Sequence, residues 1–120
     1  MTGAGDNTDA IEKAYVIAKR LRSSPIPPYQ DTYGWIAYLR GDYKEAASSL
    51  EPAAAALAND PLVQYHLAAV YAALEDYDEA IEQFQKVAEL TGAADSRDFV
   101  ETSRSELARL IKAKAAIDNQ

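Results

Sequence analysis

One ten-residue phrase occurs twice in this chain, as GDYKEAASSL from residue 41 and as EDYDEAIEQF from residue 75. The two starts are 34 positions apart (75 minus 41). An internal repeat of this period indicates a structural unit that stacks on its own copy, because one such unit alone cannot bury its apolar face. The repeat therefore limits the chain to a small set of stacked architectures.

Each copy of the phrase predicts the start of a helix. Asp42 and Glu45 in the first copy, like Asp76 and Glu79 in the second, have the spacing of a helix N-cap and the third helical residue. At these positions a carboxylate accepts hydrogen bonds from backbone N–H groups that the first turn leaves unpaired. Both acidic pairs therefore predict capped helices.

A further helix is predicted before each of these starts. YGWIAYLR and YHLAAVYAAL place apolar residues at helical spacing just before the two copies of the phrase. Asp60 followed by Pro61 is the signal of an N-cap and a first helical turn for the later of these helices. The repeated region is thus expected to form two helical hairpins.

Three residues bear on where these helices end. Gly41 supplies a left-handed residue after the first helix, whereas Glu75 takes that place in the second copy at a cost of about 1 kcal/mol. Pro52 removes a backbone hydrogen bond within the second helix of the first hairpin, and we expect it to bend that helix. The alternative is that the helix ends early at Pro52.

A 34-residue period built from two helices resembles the tetratricopeptide repeat. The second copy has the small and large residues of that motif at Leu67, Ala68, Tyr71, Ala80 and Phe84. The first copy is looser and has Tyr33, Gly34, Ala37, Ala46 and Leu50 at the same positions. Short side chains at such positions let the two helices of a hairpin approach closely, while the larger residues fill the remaining space.

One helix is predicted on each side of the two copies. Residues 7–22 resemble the second helix of a preceding repeat, with apolar residues at Ile11, Tyr15, Ala18 and Leu21. Residues 95–115 depart from the motif and carry one narrow stripe formed by Phe99, Val100, Ser103, Leu107, Leu110 and Ile111. A helix with a single apolar face is typical of a cap on such a stack. The arrangement resembles the C-terminal closing repeats of long bacterial tetratricopeptide proteins.

The resemblance implies an all-α, tetratricopeptide-type α-solenoid of about six helices in one domain over residues 1–120. Its expected segments are a disordered tail 1–6, an orphan helix 7–22, repeats 28–60 and 61–94, and a capping helix 95–115. We expect the chain to be the end of a longer protein or a short relative of such proteins.

Composition argues against several classes of function. A net charge of −7 repels phosphate backbones and anionic lipid headgroups, so nucleic acid is not an expected partner. The absence of cysteine excludes disulfides, a thiolate nucleophile and a zinc–thiolate site.

No secretory signal and no apolar run long enough for a bilayer is present, which predicts no membrane insertion. A complete chain would be cytoplasmic, whereas the location of a fragment is unknown.

Candidates for catalysis are few. His66 is the only histidine. One repeat length earlier, the position just before the one that corresponds to His66 is occupied by Asp31. The two side chains are therefore expected to approach each other on neighbouring first helices. Three interpretations of this pair are open: a hydrogen bond that only fixes the packing, contact with a ligand, or a carboxylate that orients the imidazole as a catalytic base. We favour the packing bond. The sequence predicts no catalytic residue, no metal site and no cofactor.

Binding is the better-supported function, because the first helices of tetratricopeptide arrays line a concave surface. The corresponding positions form the predicted peptide-binding groove: Asp31, Trp35, Tyr38, Leu39, Tyr65, His66, Ala69, Ala72 and Ala73. Aromatic residues beside a row of alanines predict an apolar notch for an aliphatic or aromatic side chain of a partner's peptide or helix. The alternative is that a neighbouring segment covers Trp35.

The sequence therefore predicts a non-catalytic protein–protein interaction module, a scaffold or adaptor. The alternative is self-association, or an end-piece role in a longer array, through the apolar face of the N-terminal helix. In that alternative the face includes Ile11 and Tyr15, and a homodimer is possible. The acidic residues 75–82 are either a docking patch for a basic partner or a solvated turn and helix start.

Overall fold

The computed structural model describes residues 3–119 of the chain. Within them, six α-helices and one 3₁₀ turn are present, and there is no strand. The elements are α1 Gly3–Ala18, the 3₁₀ turn Lys19–Leu21, α2 Pro27–Arg40, α3 Tyr43–Ala56, α4 Pro61–Ala73, α5 Tyr77–Leu90 and α6 Asp98–Asp118. The predicted all-α fold of helix–turn–helix units is confirmed.

The chain divides into two compact units, unit 1 over Met1–Leu57 and unit 2 over Ala58–Gln120. In unit 1, α2 packs against both α1 and α3. In unit 2, α5 packs against α4 and α6, and α4 also contacts α6. Each unit thus consists of one hairpin and one flanking helix, and the division falls in the connection between the two predicted repeats.

The first helix begins earlier than the sequence pattern predicts. The expected disordered tail covers residues 1–6, but α1 already starts at Gly3, so residues 3–6 are helical. Extending an existing helix adds one hydrogen bond for each residue that is fixed, which favours growth beyond the first good helix-forming residues. Met1 and Thr2 lie outside the described residues.

The two hairpin turns have the same backbone hydrogen bonds. Gly41 has a φ of 90° and Glu75 a φ of 61°, which confirms the left-handed residue predicted at both positions. In each turn this residue donates to the carbonyl three residues back, and the next residue donates to the carbonyl five residues back. The N···O distances are 2.9 Å in the first turn and 3.0 Å in the second. This pairing satisfies carbonyl groups at the helix end.

Only one of the three predicted caps forms with its side chain. The Asp60 carboxylate accepts from the backbone amides of the second and third following residues, at 3.0 and 3.4 Å. Asp42 and Asp76 occupy the N-cap positions of α3 and α5, but neither side chain makes the capping bond, so that expectation is wrong. The Asp42 carboxylate instead binds the guanidinium of Arg40 at 2.6 Å. Both partners of this bond are ionised, whereas a backbone amide is neutral, which favours the guanidinium as the partner of Asp42.

Pro52 does not end its helix. It lies inside α3, which continues to Ala56, so the alternative of an early end is wrong. The side chain is exposed, on the side away from the buried residues Ala53 and Ala54 that follow it. The alanines after Pro52 are strong helix formers and offset the missing hydrogen bond.

A very close approach between helices of unit 1 occurs at Gly34. A Cβ atom at this position would lie 2.6 Å from Cγ of Leu50 and 3.2 Å from the carbonyl oxygen of Ala46. In unit 2 the corresponding alanines, Ala68 and Ala80, are fully buried in one cluster with Phe84 and Leu110. The predicted role of small residues between the hairpin helices is therefore confirmed, and α2 lies against α3 at a distance that only glycine permits.

We predict that Glu75→Gly stabilises the protein by about 1 kcal/mol, because glycine adopts a positive φ without the Cβ clash that other residues have. Urea unfolding followed by circular dichroism measures the change. The matched control is Gly41→Ala, where an added Cβ meets nothing within 4 Å and the effect is due to the backbone alone. This control should destabilise, and a stabilising Gly41→Ala would contradict the interpretation.

We also predict that Gly34→Ala lowers the free energy of unfolding by about 1–3 kcal/mol, although alanine is the better helix former. Most of the cost arises from the contact with Leu50, so it should fall when Gly34→Ala is made in a Leu50→Ala background, where only the contact with the Ala46 carbonyl oxygen is left. Urea unfolding of the wild type, both single variants and the double variant gives the coupling energy. Additive effects would show that the Cβ contact is not the cause.

Candidate functional site

The most prominent surface feature of unit 1 is a set of apolar side chains on and just after α2. The rings of Trp35 and Tyr38 stack with centroids 4.6 Å apart and planes 14° from parallel. Tyr43, the first residue of α3, continues the set with its ring 5.6 Å from that of Tyr38. Leu39 is 45% exposed and Tyr43 37%. We call these four residues the α2 aromatic surface.

Arg40 fixes the end of α2 that carries this surface. Its guanidinium lies 3.7 Å from the centroid of the Tyr15 ring and 2.9 Å from the carboxylate of Glu12, both on α1. A third contact reaches Asp42 in the turn before α3. The hydrogen bond between Arg40 and Glu12 lowers the pKa of the glutamate and raises the pKa of the arginine. One side chain therefore connects α1, α2 and the following turn.

Tyr33 occupies the buried side of α2. Its ring is 1% exposed and lies 6.1 Å from the ring of Tyr15. The hydroxyl is buried and makes no hydrogen bond of good geometry with the described residues. Burial raises the pKa of Tyr33 well above its usual range, so the phenol is neutral at physiological pH. Tyr15, predicted on an open face of the first helix, is thus turned towards α2.

The predicted groove residues of unit 2 lie largely against its own core. The Tyr65 ring packs edge-on to Phe84 at 6.2 Å and contacts Phe99 of α6 at 5.8 Å. Tyr65 and Ala72 both pack against the cluster of Ala68, Ala80, Phe84 and Leu110. These two residues contribute to holding α4 against α5 and α6, and they are half-buried, as are Ala69 and Ala73 on the rest of the predicted face.

The two candidate acid–base residues lie on different units. Asp31 is half-buried on α2, one helical turn before Trp35. His66 is 8% exposed on α4, with the Tyr65 ring 6.1 Å from its own. Near it in sequence, the fully buried Gln64 accepts a hydrogen bond from Gln83 of α5 at 3.0 Å. The imidazole is therefore buried, beside the ring of Tyr65.

Some surface residues were missed by the sequence analysis. Tyr43 lies beyond the α2–α3 turn, so helical periodicity within α2 does not include it. Val16 and Ile17 on α1 are 57% and 71% exposed. Helical periodicity places both residues opposite the stripe that contains Ile11 and Ala18. The sequence could therefore have predicted that they are exposed.

The described residues offer little else in the way of reactive groups. Among residues 3–119, no cluster of three or more histidine, aspartate and glutamate side chains is placed to hold a metal ion. No helix in the described part of the chain has the length and apolar character needed to cross a bilayer. What the geometry provides is a partly exposed aromatic surface on a helix that is fixed from both sides.

Truncation to alanine should change the free energy of unfolding by very different amounts at two of the predicted site residues. We expect Tyr65→Ala to lower the free energy of unfolding by about 2–4 kcal/mol, because it leaves a cavity beside Phe84 and Phe99. Leu39→Ala should change it by less than about 0.5 kcal/mol, because that side chain is exposed. Urea unfolding of both variants tests this difference. Equal small effects would place Tyr65 on the surface rather than in the packing of unit 2.

The sequence profile of the tetratricopeptide repeat family matches residues 37–96, which is half of the chain's 120 residues. None of the curated proteins matches the chain significantly. The matched region runs from the last turn of α2 to the segment before α6, and so includes both hairpin turns, α3, α4 and α5. This protein belongs to the tetratricopeptide repeat family, whose repeats are generally non-catalytic modules for protein–protein interaction.

Proposed function

We propose that this protein is a non-catalytic binding module that holds a peptide or helix of a partner protein against the α2 aromatic surface. The observation that carries the proposal is the stacked pair of Trp35 and Tyr38 beside the exposed Leu39. Binding energy in protein interfaces concentrates in a few aromatic anchors, and tryptophan and tyrosine are enriched among them. The pair therefore has the chemistry of an interface centre.

The rings are held in place before any partner arrives. Gly34 packs against Leu50 on the buried side of α2, and Arg40 ties the end of the same helix to α1 and to the next turn. Stacking also restricts the rotation of Trp35 and Tyr38. Side chains that are already ordered lose little conformational entropy on binding, so more of the contact energy appears as affinity.

The shape of the surface indicates the kind of side chain that it accepts. Two stacked rings, Leu39 and Tyr43 offer apolar area with few polar groups, which suits an aliphatic or aromatic side chain of the partner. The proposal uses residues of unit 1 only. Tyr65 and Ala72 have packing roles in unit 2, while roles of His66, Ala69 and Ala73 in binding stay predictions.

The absence of catalysis is part of the proposal and has its own support. His66 is the only histidine of the chain, and its burial leaves little of the ring accessible to a substrate. A general base must come within hydrogen-bond reach of the proton that it removes. A buried imidazole fixed among packed side chains does not offer that access.

Selection of peptides from a random library displayed on phage, followed by titration against the purified chain, tests the proposed surface. Trp35 is the only tryptophan, so its fluorescence reports directly on binding. We expect selected peptides to change that fluorescence. Calorimetric titration should show that Trp35→Ala and Leu39→Asp each weaken binding by at least about tenfold, because both remove apolar contact at the centre of the surface.

The matched control is Tyr29→Ala, which removes an exposed aromatic residue of α2 outside the α2 aromatic surface. This variant should bind the peptides as the wild type does. Circular dichroism of every variant separates lost binding from lost folding. Peptides that bind Leu39→Asp and the folded Trp35→Ala as tightly as the wild type would show that recognition takes place elsewhere.

A further inference from the structure

The outward face of α1 leaves two aliphatic side chains in solvent. Ala18 and Tyr15 lie on the side of α1 that packs towards α2, and Ala18 is buried. Val16 and Ile17 lie on the other side and are 57% and 71% exposed. A pair of exposed side chains of this size on one helix face is a candidate contact surface, because covering them removes apolar area from water.

The charges on the same helix face are not neutralised within the described residues. Lys13 and Arg20 form no ion pair there, whereas the neighbouring arginines, Arg22 and Arg40, each bind a carboxylate of unit 1. Asp9 is also exposed on the outward face. It precedes Arg20, which lies in the 3₁₀ turn that continues α1, by about 17 Å along the axis. From its N-terminal to its C-terminal end, the outward face therefore presents an acidic residue, a basic residue, an apolar pair and a second basic residue: Asp9, Lys13, Val16 with Ile17, and Arg20.

We propose that two copies of this chain pair antiparallel through the outward faces of α1. In an antiparallel pair with a twofold axis between residues 14 and 15, Asp9 of one copy lies opposite Arg20 of the second copy, and the same contact occurs twice. Lys13 then lies opposite Val16, and its aliphatic stem covers that side chain. The two Val16 side chains are offset by only about 4 to 5 Å along the axis and meet at the centre.

A second copy fits this face better than other occupants do. A twofold interface requires a surface that is complementary to itself, and the order of charges along α1 and the 3₁₀ turn that continues it meets that requirement when the segment is reversed. A basic peptide would meet Lys13 and Arg20. The proposed pairing uses no residue of the α2 aromatic surface, so it is independent of the peptide-binding proposal.

A charge-exchange experiment tests the antiparallel arrangement. Sedimentation velocity should show the wild type moving from the chain mass of 13.1 kDa towards twice that mass. The concentration range is about 10 µM to 1 mM, because a contact between single helices is small and weak. Asp9→Arg alone places like charges opposite each other at both ends, and Arg20→Asp alone does the same. Each should weaken the dimer by at least about tenfold.

The decisive sample is an equimolar mixture of the two single variants. In a heterodimer, the arginine introduced at position 9 of one variant faces the aspartate introduced at position 20 of the other. At the opposite end the native Arg20 faces the native Asp9, so both ends are attractive again. The mixture should dimerise as the wild type does, and so should the double variant D9R/R20D. Ile17→Asp, at a side chain that is 71% exposed, should keep the fold and abolish the dimer.

Lys112→Asp, a charge reversal at an exposed residue of α6, is the matched control and should leave the mass distribution unchanged. The proposal is overturned if the wild type stays at the monomer mass throughout, or if the mixture dimerises no better than its components. The first result would leave the face for a different occupant, such as a preceding segment of a longer chain. Peptide binding by Ile17→Asp separates this outcome from failure of the proposed function.

Discussion

The close contact between the two helices of each hairpin is the constraint on which the rest depends. In unit 1 only the hydrogen atom of Gly34 separates α2 from Leu50 and Ala46 of α3. Because Trp35 is the next residue along the helix, this contact also fixes the direction in which its ring leaves α2. The buried side of the helix and the aromatic side are therefore not independent, and a shift in the packing of the hairpin would move the rings as well.

Sequence reasoning succeeded where the cause is local. The hairpins, their left-handed turn residues and the cap at Asp60 all follow from residues within a few positions of one another. It failed at Asp42, because the choice between a backbone amide and the guanidinium of Arg40 depends on where Arg40 is held. Arg40 is held by Glu12 and Tyr15 of α1, well over twenty residues earlier in the chain. Contacts of that range leave no periodic trace in the sequence.

The candidate site shows the same division between local and distant causes. Adding one repeat length to the positions of Asp31 and Trp35 gives Tyr65 and Ala69, but equivalent positions do not have equivalent neighbours. The ring of Tyr65 packs against Phe99, which belongs to α6, where the repeat no longer holds. The stacked pair of unit 1 was predictable as a helix face, whereas the packed role of Tyr65 required knowledge of how α6 returns onto α4.

The two turns also carry a consequence for motion within the repeats. They share one hydrogen-bond pattern, yet the left-handed residue is glycine in unit 1 and Glu75 in unit 2. A backbone penalty of about 1 kcal/mol lowers the free energy of local opening at the second turn by the same amount. The open form of that turn is then populated more by roughly a factor of five. A duplicated unit has in this way become two units whose turns differ in the fraction of time that they spend open.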